Sequence, residues 1–274
     1  MPHTPITLLI FLVILDYGAA RSSPSRFIDN GNGTVHDAVS GLVWQQTDDS
    51  AQRTWSEAVA YCDGLQLGST ASWRLPYKQE ALLLVDHRIP APGPVIASKL
   101  FLSAKPTRYW IANAYIGDLS QHWFLGGDSG YAYYADNSNR FMVRCVSGRP
   151  QPQPVFVDNG DFTVTDRTTE LTWQQGEGGA MTWKDAVNYC SGLSLAIYRD
   201  WRLPDTTELQ SLTDAARLKP AVDTAYFPKV QSTHYWTAIE YAADAGKAWE
   251  VGFGNGDLYF HAKTDLAYVR CVRP

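Results

Sequence analysis

The stretch TWSEAVAYCDGL at residues 54–65 returns as TWKDAVNYCSGL at residues 182–193, and this repetition decides how the fold is organised. Just beyond it, WRLP at residues 73–76 returns 128 residues later at residues 201–204. Further matches follow in both directions: FIDNGNGTV at 27–35 with FVDNGDFTV at 156–164, and VRCV at 143–146 with VRCV at 269–272. All 10 Trp and all 4 Cys pair off between the copies. The chain is therefore an internal duplication.

The repeat boundaries predict two domains, residues 26–147 and 155–274, joined by a linker at residues 148–154. Each copy has about the length of an independent folding unit. The linker contains PQPQP, a tract that favours extended polyproline geometry. We therefore expect a semi-rigid spacer between two bodies that need not share a core.

Composition narrows the class of protein. Of 274 residues, 45% are hydrophobic and 19% charged, which is typical of a folded chain, and the net charge of −5 gives no basic footprint for nucleic acid.

The apolar run at residues 6–15 is too short to span a membrane. Small residues follow it, which predicts a signal peptide at residues 1–20 and an exported protein, secreted, periplasmic or at the cell surface. The alternative is an apolar tail packed on the domain.

The local pattern within each copy predicts an α+β fold. Glycines in the DNGNG segment favour a hairpin that opens a β-meander. Thr54 with Glu57, Thr182 with Asp185, and Asp205 with Glu208 have the spacing of helix capping boxes. A second helix is expected at about residues 79–86 in the first copy. The end of each copy returns to strands, which we expect to form an antiparallel sheet with the N-terminal hairpin.

Four cysteines allow three pairings, and the duplication favours one of them. Each copy has one Cys on its first predicted helix and one on its last predicted strand. The simplest connectivity repeated in both copies is Cys62 with Cys145 and Cys190 with Cys271. The alternative is four reduced, buried thiols. Thiol catalysis would have to break these bridges.

Two groups of repeated residues are interpreted as structural. Arg74 with Glu80, and Arg202 with Glu208, match a guanidinium that pins a loop to a carboxylate, although such a pair can also be catalytic. The paired tryptophans are expected mostly in the core, and they include Trp44, Trp73, Trp173 and Trp201.

Binding residues are expected where the copies differ but remain aromatic. Tyr131, Tyr133 and Tyr134 align with Asp257, Tyr259 and Phe260 on a late strand. Exposed tyrosine stacks on apolar faces and donates or accepts hydrogen bonds, so these aromatic residues form the candidate ligand site. Strand alternation places Tyr131 and Tyr133 on one face and Tyr134 on the other. None of the six His is repeated or has metal-ligand spacing, so no metal or other cofactor is expected.

Taken together, the DNGNGTV segment, the W-x2-A-x2-YC helix, WRLP followed by Glu80 or Glu208, the YW pairs and the closing VRCV resemble the Lcl C-terminal domain family. The resemblance covers nearly all of the chain after residue 25, twice. It implies tandem domains similar to the C-type lectin-like fold, in which a helix Cys pairs with a last-strand Cys, and it suggests binding or adhesion. The chain lacks the collagen-like tract of the adhesin that names the family. It also lacks the Glu-Pro-Asn, Gln-Pro-Asp and Trp-Asn-Asp motifs of calcium-dependent sugar binding.

The sequence thus predicts an exported, non-enzymatic binding or adhesion module that recognises a surface glycan, a matrix polymer or an envelope protein without calcium. Two alternatives stay open. One is an enzyme on a lectin-like fold similar to formylglycine-generating proteins, and the other is a purely structural envelope component.

Overall fold

A computed structural model describes residues 25–96 and 99–274. The predicted signal peptide at residues 1–20 lies outside the described residues. The first copy contains, in chain order, β1 (Phe27–Asp29), β2 (Thr34–Asp37), β3 (Val43–Gln45), α1 (Trp55–Asp63), α2 (Lys78–Leu82), β4 (Arg108–Ala114), β5 (Gln121–Gly126), β6 (Ala132–Asp136) and β7 (Val146–Ser147).

The second copy repeats this order and adds two short strands. It contains β8 (Phe156–Asp158), β9 (Thr163–Asp166), β10 (Leu171–Gln174), β11 (Ala180–Met181), α3 (Trp183–Gly192), α4 (Thr206–Ser211), β12 (His234–Glu240), β13 (Lys247–Gly252), β14 (Leu258–Ala262), β15 (Ala267–Tyr268) and β16 (Val272–Arg273). The chain is therefore mostly β with four short helices among the described residues.

The strands form three sheets. The opening meander of each copy pairs with its own closing strand, in the orders β1-β2-β3-β7 and β8-β9-β10-β16. The remaining strands form one eight-stranded sheet, in the order β11-β15-β12-β13-β14-β6-β5-β4. All pairings are antiparallel except that of β12 with β15. The expected single sheet per copy is therefore wrong: the closing strand pairs with the meander, which separates the meander from the later strands.

The helices begin where side chains cap their first turn. The Thr54 hydroxyl accepts a hydrogen bond from the Glu57 amide, and the Glu57 carboxylate accepts one from the Thr54 amide. Asp205 and Glu208 form the same reciprocal pair before α4. Before α3 the box is incomplete, because Asp185 is one methylene shorter than Glu57 and accepts from the Thr182 hydroxyl instead.

Helix α2 is shorter than the predicted residues 79–86. It ends at Leu82, after which the chain leaves the helix and pairs with a later loop. Val85 forms a β-bridge with Ile96, and the Asp86 amide donates to the Val95 carbonyl. These residues therefore satisfy their backbone groups outside the helix.

The closing strand of each copy is tied to the rest by a disulfide and a buried arginine. Cys62 on α1 is bonded to Cys145, and Cys190 on α3 to Cys271, as the sequence predicted. The Arg144 guanidinium donates to the carbonyls of Gln45 and Gln46 at 2.7 and 2.8 Å. Arg270 makes the equivalent bonds in the second copy. The residues that lead directly into the closing strand thereby fix both the first helix and the end of the meander.

The two copies meet across an approximate twofold axis. Ala132 on β6 pairs with Leu258 on β14, and these residues hold equivalent positions, 126 residues apart. Helices α2 and α4, which are also equivalents, pack against each other. An interface in which each element meets its own counterpart is isologous, as in a twofold dimer. We call this interface the seam.

The seam contains two equivalent carbonyl groups, those of Gly256 and Gly130, and a different side chain contacts each of them. The ammonium of Lys78, fully buried, donates to the Gly256 carbonyl at 2.8 Å and lies 4.5 Å from the centre of the Trp123 ring. At the equivalent position in the other copy, Thr206 is too short to reach across. There the His87 ring spans the gap, with one nitrogen 3.3 Å from the Gly130 carbonyl and the other 3.1 Å from the Thr206 hydroxyl.

The linker does not space the two copies apart as expected, because the copies share part of their core. Buried apolar residues of both copies form one continuous cluster at the seam, which includes Trp123 and Trp249. The linker itself is tied to the surface, since Gln151 donates to the Ser40 carbonyl and Gln153 accepts from Thr168. Among residues 25–96 and 99–274, no helix is long and apolar enough to cross a membrane.

Removing either disulfide should destabilise the protein by a similar amount. The bridges close loops of 83 and 81 residues, and constraining an unfolded loop of this length stabilises a chain by about 4 kcal/mol. We expect the Cys62→Ser/Cys145→Ser and Cys190→Ser/Cys271→Ser variants each to lose several kcal/mol in urea unfolding. Ser191→Ala, next to Cys190 on the exposed face of α3, serves as the control. A loss below about 1 kcal/mol in either double variant would contradict this prediction.

Acid should weaken the seam through His87. Burial lowers the pKa of His87 to about 4, whereas an unfolded His titrates near its usual value of 6.5. As the pH falls, the unfolded chain therefore takes up this proton before the folded chain does. The stability that neutral His87 gives the folded state above pH 6.5 is lost progressively down to about pH 4. A shift of this size corresponds to about 3 kcal/mol.

The measurement is the free energy of unfolding at pH 7 and pH 4 for the native chain and for His87→Gln, which keeps a hydrogen-bonding side chain. The native chain should lose more stability than the variant between the two pH values. Equal losses would show that His87 is not held neutral in the seam.

Candidate functional site

Each copy presents a stack of three aromatic rings. In the first copy the ring of Tyr134 is stacked between Tyr115, at 3.6 Å between centroids, and Tyr133, at 4.4 Å. In the second copy Phe260 is stacked between Tyr241, at 3.8 Å, and Tyr259, at 4.8 Å. The rings in each stack are within 15° of parallel. We call these groups of residues the aromatic stacks.

Buried tryptophans support the stacks from below. Trp123 meets the Tyr134 ring edge-on at 5.6 Å, and Trp249 meets Phe260 in the same way at 5.3 Å. The outer rings are open to solvent, with Tyr133 42% and Tyr259 44% exposed. Partial burial raises the pKa of Tyr134 well above its usual value, so its hydroxyl stays protonated and can donate a hydrogen bond at neutral pH. Each stack therefore has a fixed inner part and an accessible outer face.

The position of the stacks follows from the strand pairing. Because β14 pairs with β6 only at Ala132, the rest of β6 has a free edge on that side. The rings of Tyr133 and Tyr134 stack on each other at 4.4 Å, although their Cβ atoms alternate along the strand. The expected separation of these two tyrosines onto opposite faces is therefore wrong for the rings themselves.

Tyr131 lies apart from the stacks. Its ring packs edge-on against Phe124 at 5.7 Å, and its hydroxyl accepts from Arg108 at 3.3 Å. A side chain at Gly126 would overlap this ring, so the glycine makes room for it. Of the five aromatic residues predicted for binding, four thus belong to the two stacks.

The third ring of each stack was not predicted from the sequence. Tyr115 and Tyr241 lie after β4 and β12, where the chain turns back toward the next strand. They are aromatic in both copies at a spacing of 126 residues. That repetition was a usable signal, but their contact with Tyr134 and Phe260 requires knowledge of the strand register.

The repeated charged pairs join loops to helices. Arg74 donates two hydrogen bonds of 2.7 Å to Glu80, whose carboxylate also accepts from the Tyr77 amide. Arg202 and Glu208 make the equivalent two-bond contact at 2.7 and 2.6 Å. Both carboxylates have their oxygens occupied by guanidinium and backbone donors, which is the geometry of a structural clamp.

The tryptophans interpreted as structural are buried, with Trp44 and Trp173 at 0%, Trp73 at 2% and Trp201 at 3% exposure. Trp44 and Trp173 lie on β3 and β10, and Trp73 and Trp201 precede the clamp arginines.

A second group of polar residues, also missed from the sequence, lies on neighbouring strands of the second copy. His261 on β14 is 2.7 Å from the buried carboxylate of Glu250 on β13. The His234 ring on β12 lies 5.3 Å from that of His261, and its Nε2 is 3.8 Å from Asp257. The Asp257 carboxylate raises the pKa of His234, and burial raises that of Glu250.

The first copy has Arg108, Phe124, Tyr131 and Ala135 at these positions, so the polar group belongs to one copy alone. Within the described parts of the chain, no three His, Cys, Asp or Glu side chains are arranged to hold a metal ion.

Comparison with protein families matches the model described as the Lcl C-terminal domain twice, over residues 33–147 and 162–273. The chain belongs to the Lcl C-terminal domain family. The two Lcl C-terminal domain matches cover more than half of the chain and include α1, α3, all four cysteines and both aromatic stacks. A search of curated proteins found no match.

Replacing Asp257 should lower the pKa of His234. The carboxylate favours the charged imidazolium, and an amide of the same shape removes that attraction. NMR titration of the histidine rings in Asp257→Asn should show the change. Asp244→Asn, on an exposed turn of the same copy, is the control and should leave His234 unaltered. The same His234 pKa in both variants would contradict the assignment.

Proposed function

We propose that this protein is an exported, non-enzymatic module that binds a carbohydrate through its two aromatic stacks. The observation that carries the proposal is the pair of three-ring stacks at equivalent positions, each with an exposed outer tyrosine. The apolar face of a sugar packs on an aromatic ring, while a tyrosine hydroxyl offers a hydrogen bond at its edge. Such recognition requires no calcium ion.

The placement of the stacks supports recognition of a repeating polymer. By strand alternation, Tyr134 and Phe260 share a sheet face with Ala132 and Leu258, which are directly opposite each other. The two stacks therefore lie on either side of the seam within one sheet. Because the seam fixes their relative position, a second sugar unit can bind without the cost of ordering a flexible linker.

Charge favours a neutral carbohydrate over a polyanion. The first copy contains 10 basic and 11 acidic residues, and the second 11 basic and 16 acidic residues. A sulfated polymer would meet net repulsion at the second copy. An envelope protein or a matrix polymer that displays neutral sugars is the partner class this surface suits.

Three features support the rest of the proposal. Disulfides persist in oxidising compartments, which agrees with export to the periplasm, the cell surface or the medium. The bond from the first helix to the last strand, together with family membership, supports a C-type lectin-like fold for each copy. All four cysteines are bridged, which argues against thiol chemistry of the formylglycine-generating type.

A glycan array, probed with and without a chelator, tests the proposal and identifies the sugar. Binding should survive chelation. The Tyr133→Ala/Tyr259→Ala variant should then bind the selected sugar at least about tenfold more weakly in calorimetry, since aromatic stacking contributes about 1 kcal/mol per contact. Phe162→Ala removes an aromatic ring that is 72% exposed elsewhere in the second copy and is the matched control. Unchanged affinity in the double variant, or loss of binding on chelation, would overturn the proposal.

A further inference from the structure

Two clefts lie beside the seam and are related by its approximate twofold axis. The linker cleft is bounded by linker residues 150–154, Tyr77, Leu171 and residues 214–216. The mate cleft is bounded by residues 25–27, 85–88 and 205–207. Residues 86–88 of the mate cleft are the equivalents of residues 214–216 in the linker cleft. The two clefts are thus two versions of one site within the same molecule.

The linker cleft is the larger of the two, at about 980 Å³ against about 550 Å³ for the mate cleft. Two substitutions contribute to the difference. Ala215 and Ala216 stand where the mate cleft has His87 and Arg88. The linker cleft has the volume and the mainly apolar lining of a small-molecule site, with Ile116 and Leu119 exposed at its side.

The two clefts also differ in charge. The mate cleft is lined by two carboxyl groups, those of Asp86 and Asp205, and by three basic side chains: Arg26, which is paired with Asp37, Arg88, which is paired with Asp86, and His87, whose pKa burial lowers to about 4. The equivalents of these basic residues in the second copy are Val155, Ala215 and Ala216, so each basic group is replaced by an apolar one. Among the described residues that line the linker cleft there is no Lys, Arg or His, but there are four carboxylates: Glu80, Asp166, Glu208 and Asp214. Three of them are paired with arginines outside the lining: Glu80 with Arg74, Glu208 with Arg202 and Asp214 with Arg217.

One of these carboxylates lacks the cation that its counterpart has. Asp37 is fully buried and is paired with Arg26 through bonds of 2.9 and 2.8 Å. Asp166 is also fully buried, but Val155 replaces the arginine and contributes only its backbone amide. Asp166 has hydrogen bonds from Thr168 and Thr169 and no ion-pair partner among the described residues. Its negative charge at the wall of the linker cleft is therefore uncompensated, and a cation in the cleft would be attracted to it.

We propose that the linker cleft is a binding site for a small cationic amphiphile, a molecule with an apolar body and an ammonium or guanidinium group. The apolar lining would bury the body, and Asp166, the one lining carboxylate without an ion-pair partner among the described residues, would favour the positive group. The mate cleft, which is smaller and in which Arg26 already pairs with the equivalent carboxylate, Asp37, would not bind such a molecule. This site is separate from the aromatic stacks, and the proposal does not depend on glycan recognition.

The test uses decyltrimethylammonium as the probe, below its micelle-forming concentration, in isothermal titration calorimetry with the full chain. Decyl sulfate has the same tail and the opposite charge, and decyl maltoside has the same tail and no charge. We expect one molecule of the cation to bind per chain, with at least about tenfold preference over decyl sulfate, because opposite signs reverse the electrostatic contribution.

Substitution at the exposed position 216 then locates the site. Ala216→Arg introduces the residue of the mate cleft and should weaken binding of the cation at least about tenfold through like-charge repulsion. Ala216→Leu occupies similar space without charge and should weaken it less. Arg88→Ala makes the opposite change at the equivalent position of the mate cleft and should leave the affinity as it is. Tyr133→Ala/Tyr259→Ala should also have no effect, which separates this site from the aromatic stacks.

Several outcomes would overturn the proposal. These are equal affinity for the cationic and anionic probes, two equivalent sites per chain, or unchanged binding in Ala216→Arg. Binding of an extended peptide of alternating Leu and Lys, with no binding of decyltrimethylammonium, would also overturn it in favour of a protein partner. Thermal unfolding of each variant without ligand confirms that the folded chain is being compared.

Discussion

The closing strand of each copy is the constraint on which the rest of the fold depends. In the first copy, Cys145 is bonded to helix α1, Arg144 donates to two carbonyls after β3, and Val146 forms a β-bridge with Arg74. One short segment thus joins the first helix, the meander and the loop that precedes the second helix. Because that loop leads directly into α2, the closing strand also positions the helix that forms the seam.

The seam converts two similar domains into one structural body. It places β6 and β14 side by side, in one sheet that carries both aromatic stacks, and creates a cleft on each side of the axis. It also requires that polar groups enter the shared core. Burial lowers the pKa of Lys78 to about 8, which shows how much this interface disfavours a charge even when a carbonyl and a ring accept it.

Features that are local or repeated could be predicted from the sequence, and features that depend on how the copies meet could not. The disulfides, the caps of α1 and α4 and the four-residue WRLP loop each have a signal within one copy. The pairing of Ala132 with Leu258 has none, because two small or apolar residues on strands are common everywhere. Likewise, His234 and Glu250 lie 16 residues apart on different strands, and only the register brings both of them to His261.

When two copies are fused in a single polypeptide, the residues at equivalent positions of their interface can differ. In an assembly of two identical subunits, every substitution appears twice, so a lysine at position 78 would bring a second buried ammonium at the related site. Here Thr206 occupies that related site, and His87 spans the remaining distance. The same freedom gives the two clefts different volumes, about 980 Å³ and about 550 Å³. Duplication produced two copies of one sequence, and these copies now form unequal halves of the molecule.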